Sequence, residues 1–162
     1  INRIAYTATS NRSNEIILER FCTTFHFEPM AFDTKDKNGT AIYHTNVMMS
    51  LGTKYVLVCL GMIIDEKRRG EVNQRLKESG RIVIDLNFDQ INNFAGNALE
   101  LTGENGQTYL AISKVAYESL SDNQIKQLED MVEIVPLSIP TIELAGGSVR
   151  CMIAGIHLSK RQ

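Results

Sequence analysis

Six side chains in this 162-residue sequence could act as nucleophiles or as proton carriers near neutral pH: Cys22, Cys59, Cys151, His26, His44 and His157. A deprotonated thiol attacks electrophilic carbon, and an imidazole can give and take the accompanying proton because it titrates near neutrality. Their surroundings sort them. Cys22 falls in the series Ile17, Leu18, Phe21, Cys22 and Phe25, the i, i+1, i+4, i+5, i+8 spacing of one buried helical face. Cys59 lies inside "VLVCL" and reads as core. His26 follows the first helix as a surface or capping residue, and His157 stands in a terminal strand-like stretch without a role. That leaves Cys151 in "AGGSVRCMIAG" and His44 in "IYHTNVMMSLG". Gly146 and Gly147 would let backbone approach a ligand without a Cβ clash. Cys151 is either a nucleophile displayed by a tight turn or a small apolar residue in a strand, and free cysteine is usually buried. His44 is either its proton partner or a structural histidine. The order His before Cys is not that of papain-like proteases, and the glutamine-alanine-cysteine signature of caspases is absent.

The elements that must position these residues follow from periodicity and punctuation. At 43% hydrophobic and 22% charged, the chain has the make-up of an ordinary globular domain. A net charge of −2 gives no electrostatic footprint for nucleic acid or an acidic membrane. The apolar run "YVLVCLGMII" (55–64) is too short to span a bilayer. Three cysteines without C-x-x-C spacing predict neither a disulfide framework nor a thiolate zinc site, and a reducing cytoplasm fits them. No metal-ligand spacing of the usual kinds is present, and no organic cofactor is implied. Ile1 opens directly into the strand-like "INRIAYTATS", which predicts that the chain is a piece of a longer one.

Strands and helices alternate. Strands are expected at "RIAYTA", "PMAF", "YVLVCL", "RIVIDL" and "EIVPL", with a turn-rich loop at "DTKDKNG" and a charged helix over 65–79. "AGNALELTGENGQTYLAIS" reads as two strands and a turn. Ser121 with Gln124 three residues on marks a helix start near 121. The segment from 141 on opens like another strand-led unit. Three tripeptides hold equivalent places: "HTN" at 44–46, "AGN" at 95–97 and "GGS" at 146–148. Their spacing is equal, since 97 − 46 = 51 and 148 − 97 = 51. A period near 50 with strand-strand-helix-strand content predicts an array of similar units. The units run approximately 1–40, 41–92 and 93–140, with a partial unit over 141–158. Equivalent points of such units converge near a common axis, so His44, Asn97 and Cys151 are expected to face one another.

Taken together, "IYHTNVMMSLG", "GRIVIDL…DQINNFAGNALEL" and "IPTIELAGGSVRCM", in that order, resemble the amidinotransferase and guanidino-modifying (pentein) superfamily. The likeness is greatest to its bacterial arginine-deiminase-related, citrulline-utilisation hydrolase branch. It implies an α/β propeller of five ββαβ units, of which about three are present here, as the C-terminal part. It also implies a cysteine hydrolase of a guanidino or ureido compound, with Cys151 as nucleophile, His44 as acid and base, and Asn97 in contact with substrate. An amidinotransferase using the same residues and a non-catalytic binding protein on the same fold are the alternatives. The implied partners are a small guanidino or ureido molecule and either the missing N-terminal units or a second copy of the chain. The acids Asp33, Asp85, Asp89, Glu100 and Glu143 match none of the superfamily's carboxylate motifs. Arg150, next to the nucleophile, is expected to face away from it by strand alternation.

Overall fold

The computed structural model describes residues 3–155. Its first strand, β1 (Ile4–Ala8), crosses over through helix α1 (Glu15–Phe25) to a parallel neighbour, β2 (Glu28–Phe32). Asn14 caps α1 by accepting from the Ile16 amide. His26 ends the helix in the left-handed region at φ 55°, as a capping residue should. The expected apolar stripe of α1 is only partly buried. Leu18 and Cys22 face inward, whereas Ile17, Phe21 and Phe25 are exposed. A two-stranded sheet is too narrow to cover a stripe that wide.

The next two segments share one plan. Strand β3 (Met49–Leu51) pairs antiparallel with β4 (Tyr55–Val58), and β4 pairs parallel with β5 (Ile82–Asp85) across helix α2 (Glu66–Glu78). A short helix α3 (Phe88–Asn92) leads on, started by a capping box between Asn87 and Gln90. Strand β6 (Leu99–Thr102) then pairs antiparallel with β7 (Thr108–Ser113). β7 pairs parallel with β8 (Glu133–Leu137) after helices α4 (Lys114–Ser119) and α5 (Asp122–Glu129). α5 begins at Asp122 with the predicted Ser121–Gln124 capping box. Every residue of β4 is buried, because the strand is covered on both faces.

The three sheets are stitched at their margins. Lys35 N donates to Met62 O at 3.0 Å, and Arg68 Nε donates to Ala31 O at 2.8 Å, joining the first sheet to the second. Ser50 Oγ donates to Ala98 O at 2.7 Å, and Gln124 Nε2 donates to Asp85 O at 3.0 Å, joining the second to the third. The core runs continuously through all three. Among the described residues no helix is long and apolar enough to cross a membrane.

The final segment corrects the sequence reading. Instead of opening with strands, it forms two short helices, α6 (Pro140–Leu144) and α7 (Val149–Met152). Pro140 stands in the first turn of α6, where its fixed φ suits a helix and its missing N–H is no loss. The rest of the expected partial unit, with His157, lies outside the described residues.

Candidate active site

Three loops meet at one junction. Asn46, Asn97 and Ser148 occupy the equivalent third positions of the tripeptides. Asn97 Nδ2 donates to Asn46 O at 2.9 Å, and Arg150 N donates to Asn97 O at 3.2 Å. Gly96 makes the first of these contacts feasible. A Cβ there would lie 2.4 Å from Val47 O and 2.9 Å from the Met48 backbone. Ser148 is fully buried, and its hydroxyl donates to Glu143 Oε1 at 3.3 Å.

Cys151 stands at this junction, in the single turn of α7. It is exposed, whereas Cys22 and Cys59 are buried. Burial pushes the Cys22 thiol up and the Cys59 thiol up to about 11, as expected for inert core thiols. Cys151 Sγ lies across the amide of Asn97, 3.3 Å from Nδ2 and 3.4 Å from Oδ1. Asn46 Nδ2 is 4.0 Å from the same sulfur. The Asn97 amide can therefore serve both protonation states. A thiol donates to Oδ1, and a thiolate accepts from Nδ2. Asn97 is 4% exposed, so its side chain holds the thiol more than it meets solvent.

The sulfur opens on a cleft of about 380 Å³. Its walls include Tyr43, Val47, Phe94, Asn97 and the glycines 146 and 147. Gly146 has φ +86°, so its first service is the left-handed turn between α6 and α7. Phe94 is the second left-handed non-glycine residue, at φ 64°. Its amide donates to Ile91 O and that of Ala95 to Gln90 O, both at 2.9 Å, which is the Schellman ending of α3 with phenylalanine in the usual glycine place. An L-residue there costs about 1 kcal/mol or more, yet the ring forms part of the cleft wall.

His44 sits at the start of a 3₁₀ turn (Thr45–Val47), exposed, with its ring 5.0 Å from that of Tyr43. It stands outside the cleft lining, and among the described residues no hydrogen bond joins it to Cys151. Asn46, two residues on, is the nearest link between the two segments. Arg150 belongs to a helical turn, so strand alternation does not set its direction. It is half-buried, with its backbone tied to Asn97. Among the wall residues that sequence reasoning missed are Phe94 and Asp36. Both lie in irregular segments whose spacing carries no periodic signal. Among the described residues no group of three or more His, Cys, Asp and Glu side chains is placed to hold a metal ion.

Comparison with known proteins bears on the fold and the family. No curated protein matches the chain. Among solved structures, the N-terminal domain of ArgZ, an arginine dihydrolase from the ornithine-ammonia cycle in Cyanobacteria, is similar in its product-bound form. It has a TM-score of 0.68 at 17% identity, over 92% of this chain and 50% of that one. The full-length apo ArgZ gives a TM-score of 0.69 at 16% identity, over 92% of this chain and 22% of that one. AgrE in its ternary complex with ornithine and NAD⁺ gives 0.72 at 18% identity, over 99% of this chain and 21% of that one. The chain thus spans half of the ArgZ N-terminal domain and about a fifth of the longer chains. These likenesses show a shared mixed α/β fold. A model of the family described as N,N dimethylarginine dimethylhydrolase, eukaryotic, matches residues 1–158. That family lies within the superfamily whose motifs the sequence carries, and the chain belongs to it.

Proposed function

We propose that the chain carries the nucleophile of a hydrolase that acts on the C–N bond of an arginine-like guanidino or ureido compound. The observation that carries this reading is the setting of Cys151: the exposed thiol among three, held by the Asn97 amide at the wall of a cleft. Family membership supports it. So do two forms of the ArgZ N-terminal domain, one covalently bound to a reaction intermediate and one with cysteine replaced by serine and bound to substrate.

The Cys151 thiolate attacks the guanidinium carbon and forms a C–S bond. The C–N bond to the departing group breaks, and the family resemblance assigns to His44, which stands outside the cleft lining here, the proton that lets it leave as ammonia or an amine. His44 then takes a proton from water. The resulting hydroxide attacks the amidino-thioether carbon, the C–S bond breaks, and a ureido product leaves as the thiol returns. Asn97 positions the sulfur through both states. Asn97 also lines the cleft, which supports the substrate contact expected from sequence. A transferase would use the same residues and pass the amidino group to an amine in place of water.

The two strand-strand-helix-strand segments and the β1–α1–β2 piece before them fit the five-unit propeller, as units 41–92, 93–140 and 1–40, with 141–158 beginning another. β5 and β8 begin 51 residues apart, at Ile82 and Glu133, in support of that period. The apolar surface of Ile16, Ile17, Phe21 and Phe25 supports association with further units or with a second copy. Free thiols at all three cysteines fit a cytoplasmic setting.

The test is labelling with 2-chloroacetamidine and mass mapping of the adduct. Saturable labelling at Cys151, far faster than at Cys22, Cys59 or free cysteine, is the expected result. Labelling of Cys151 no faster than free cysteine would refute an activated nucleophile. Products formed with and without added amine acceptors separate hydrolase from transferase.

A further inference from the structure

Helix α6 is not held by burial. None of its residues is buried, and Leu144 is 90% exposed. Just beyond it, Ser148 and Val149 are fully buried. The chain therefore passes from surface to core within the turn 145–148, and packing does not fix where α6 lies against that turn. Glu143 supplies the tie. Its backbone O accepts from the Gly146 N–H at 3.0 Å, and its Oε1 accepts from the Ser148 hydroxyl at 3.3 Å. The two bonds bracket Gly146, whose φ of +86° makes the turn. The Ser148 bond displaces an ordinary one. Ser148 occupies the N-cap place of α7, where a serine oxygen usually accepts from a backbone N–H of the first turn. Here it makes no such bond, and the Cys151 N–H donates to Ser148 O at 3.0 Å instead. The backbone of the thiol residue thus hangs on Ser148. Gly147 lies against the same side chain, since a Cβ there would stand 3.4 Å from Cys151 Cβ and 3.9 Å from Sγ. Gly146, Gly147 and Ser148 line the cleft, whereas Glu143 stands behind that wall. Among the described residues Glu143 joins no ion pair, so its carboxylate serves Ser148 alone.

We propose that Glu143 is a positioning residue for Cys151, a latch that ties the exposed α6 to the buried Ser148 and so sets the turn on which the thiol rests. This rests on the reading of Cys151 as a nucleophile and adds the residue that fixes its place. Without the latch, the Ser148 hydroxyl turns to cap the Cys151 N–H, and the 145–148 turn loses its tie to α6. The fold loses little, because α6 buries nothing. The sulfur loses alignment, because reacting atoms must meet within narrow limits of distance and angle.

The test follows labelling of Cys151 by 2-chloroacetamidine over a range of reagent concentrations, which separates reversible binding from the alkylation step. Glu143→Ala should slow the alkylation step about tenfold, with the half-saturating concentration and the urea midpoint nearly unchanged. Glu143→Gln keeps an oxygen acceptor for Ser148 and should restore most of the rate, which a role through charge would not allow. Ser148→Ala removes the donor without adding bulk and should slow the step to the same degree. The double variant should be no slower than either single one, because both break the same bond. Unchanged alkylation in Glu143→Ala, with Cys151 still labelled selectively, overturns the latch and leaves the nucleophile in place. Additive losses in the double variant overturn it too, as does Glu143→Gln as slow as Glu143→Ala. Should Glu143→Ala fail to fold, Ser148→Ala decides, and an unchanged alkylation step there overturns the latch. Absence of selective labelling at Cys151 in the unaltered chain overturns the nucleophile and the latch together.

Discussion

Replacing Gly96 with alanine tests how the site is assembled. Gly96 does not have a positive φ, so its backbone conformation suits alanine. What opposes the substitution is space. The new Cβ would lie 2.4 Å from Val47 O and 2.9 Å from Met48 Cα, both backbone atoms that no rotamer change can remove. To reach even 3.0 Å, the loops must part by 3.0 − 2.4 = 0.6 Å. Overpacking of this kind costs about 1–3 kcal/mol. The bond from Asn97 Nδ2 to Asn46 O, now 2.9 Å, would stretch to the edge of hydrogen-bond range, for about 1 kcal/mol more. Alanine returns roughly 0.4–1 kcal/mol by restricting the unfolded chain. The net is a loss of about 1–3.6 kcal/mol. With a urea m-value of about 2 kcal/mol/M, the unfolding midpoint should drop by about 0.5–1.8 M. Cys151 labelling by 2-chloroacetamidine should slow as well, because the same displacement moves Asn97 away from the sulfur. An unchanged midpoint with unchanged labelling would show that the close approach of these two loops does not hold the site together.

Other substitutions and conditions probe separate links. Gly70→Ala should act in the opposite direction. Gly70 lies inside α2, a Cβ there meets nothing within 4 Å, and a gain of about 0.5–1 kcal/mol should raise the urea midpoint. Asn97→Ala removes an amide that is 4% exposed, with its bonds to Asn46 O and Cys151 Sγ. It should destabilise by about 1–3 kcal/mol and slow Cys151 labelling, and a melt with a labelling rate on the same sample checks both. Alkaline pH should destabilise the fold through the buried thiols. Cys59 is raised in the folded state from 9.0 to about 11, so the folded chain holds its proton longer than the unfolded chain. That contribution is complete below pH 9 and is lost as pH rises toward 11, which urea melts between pH 8 and 11 would record. A flat profile would mean that the Cys59 thiol ionises as readily in the folded chain as in the unfolded one.

Much of the fold was readable because it rests on local signals. The strand at 133–137 coincides with Glu133–Leu137, and Ser121 with Gln124 marked the first residue of α5. The Asn87–Gln90 capping box has the same one-in-four spacing and marks α3, which the search for strands passed over. The α1 stripe misled for a tertiary reason. Periodicity reports which residues would gain from burial, but Phe21 and Phe25 find no sheet wide enough to cover them. The final segment misled because a repeat with period 51 predicted strand-like backbone where Val149–Met152 forms a helical turn. Within the site, Cys151 was separable from Cys22 and Cys59 by their apolar surroundings. Asp36 was not, since a loop carboxylate has no period, and its place in the cleft depends on an Asx turn bringing "DTKDKNGT" against a helix end fifty residues away.

The sulfur is held by an amide side chain where the loops of successive segments meet, and those loops leave backbone carbonyls unpaired by strands. Asn46 O and Asn97 O are two such groups, one taking the Asn97 amide and the other the Arg150 backbone N–H. Each segment thereby completes the hydrogen bonding of the one before it. Because Nδ2 of Asn97 reaches both Asn46 O and Cys151 Sγ, the contact that closes the junction also fixes the thiol. Stability and reactivity are then coupled at one residue. A substitution that loosens the junction must loosen the nucleophile as well.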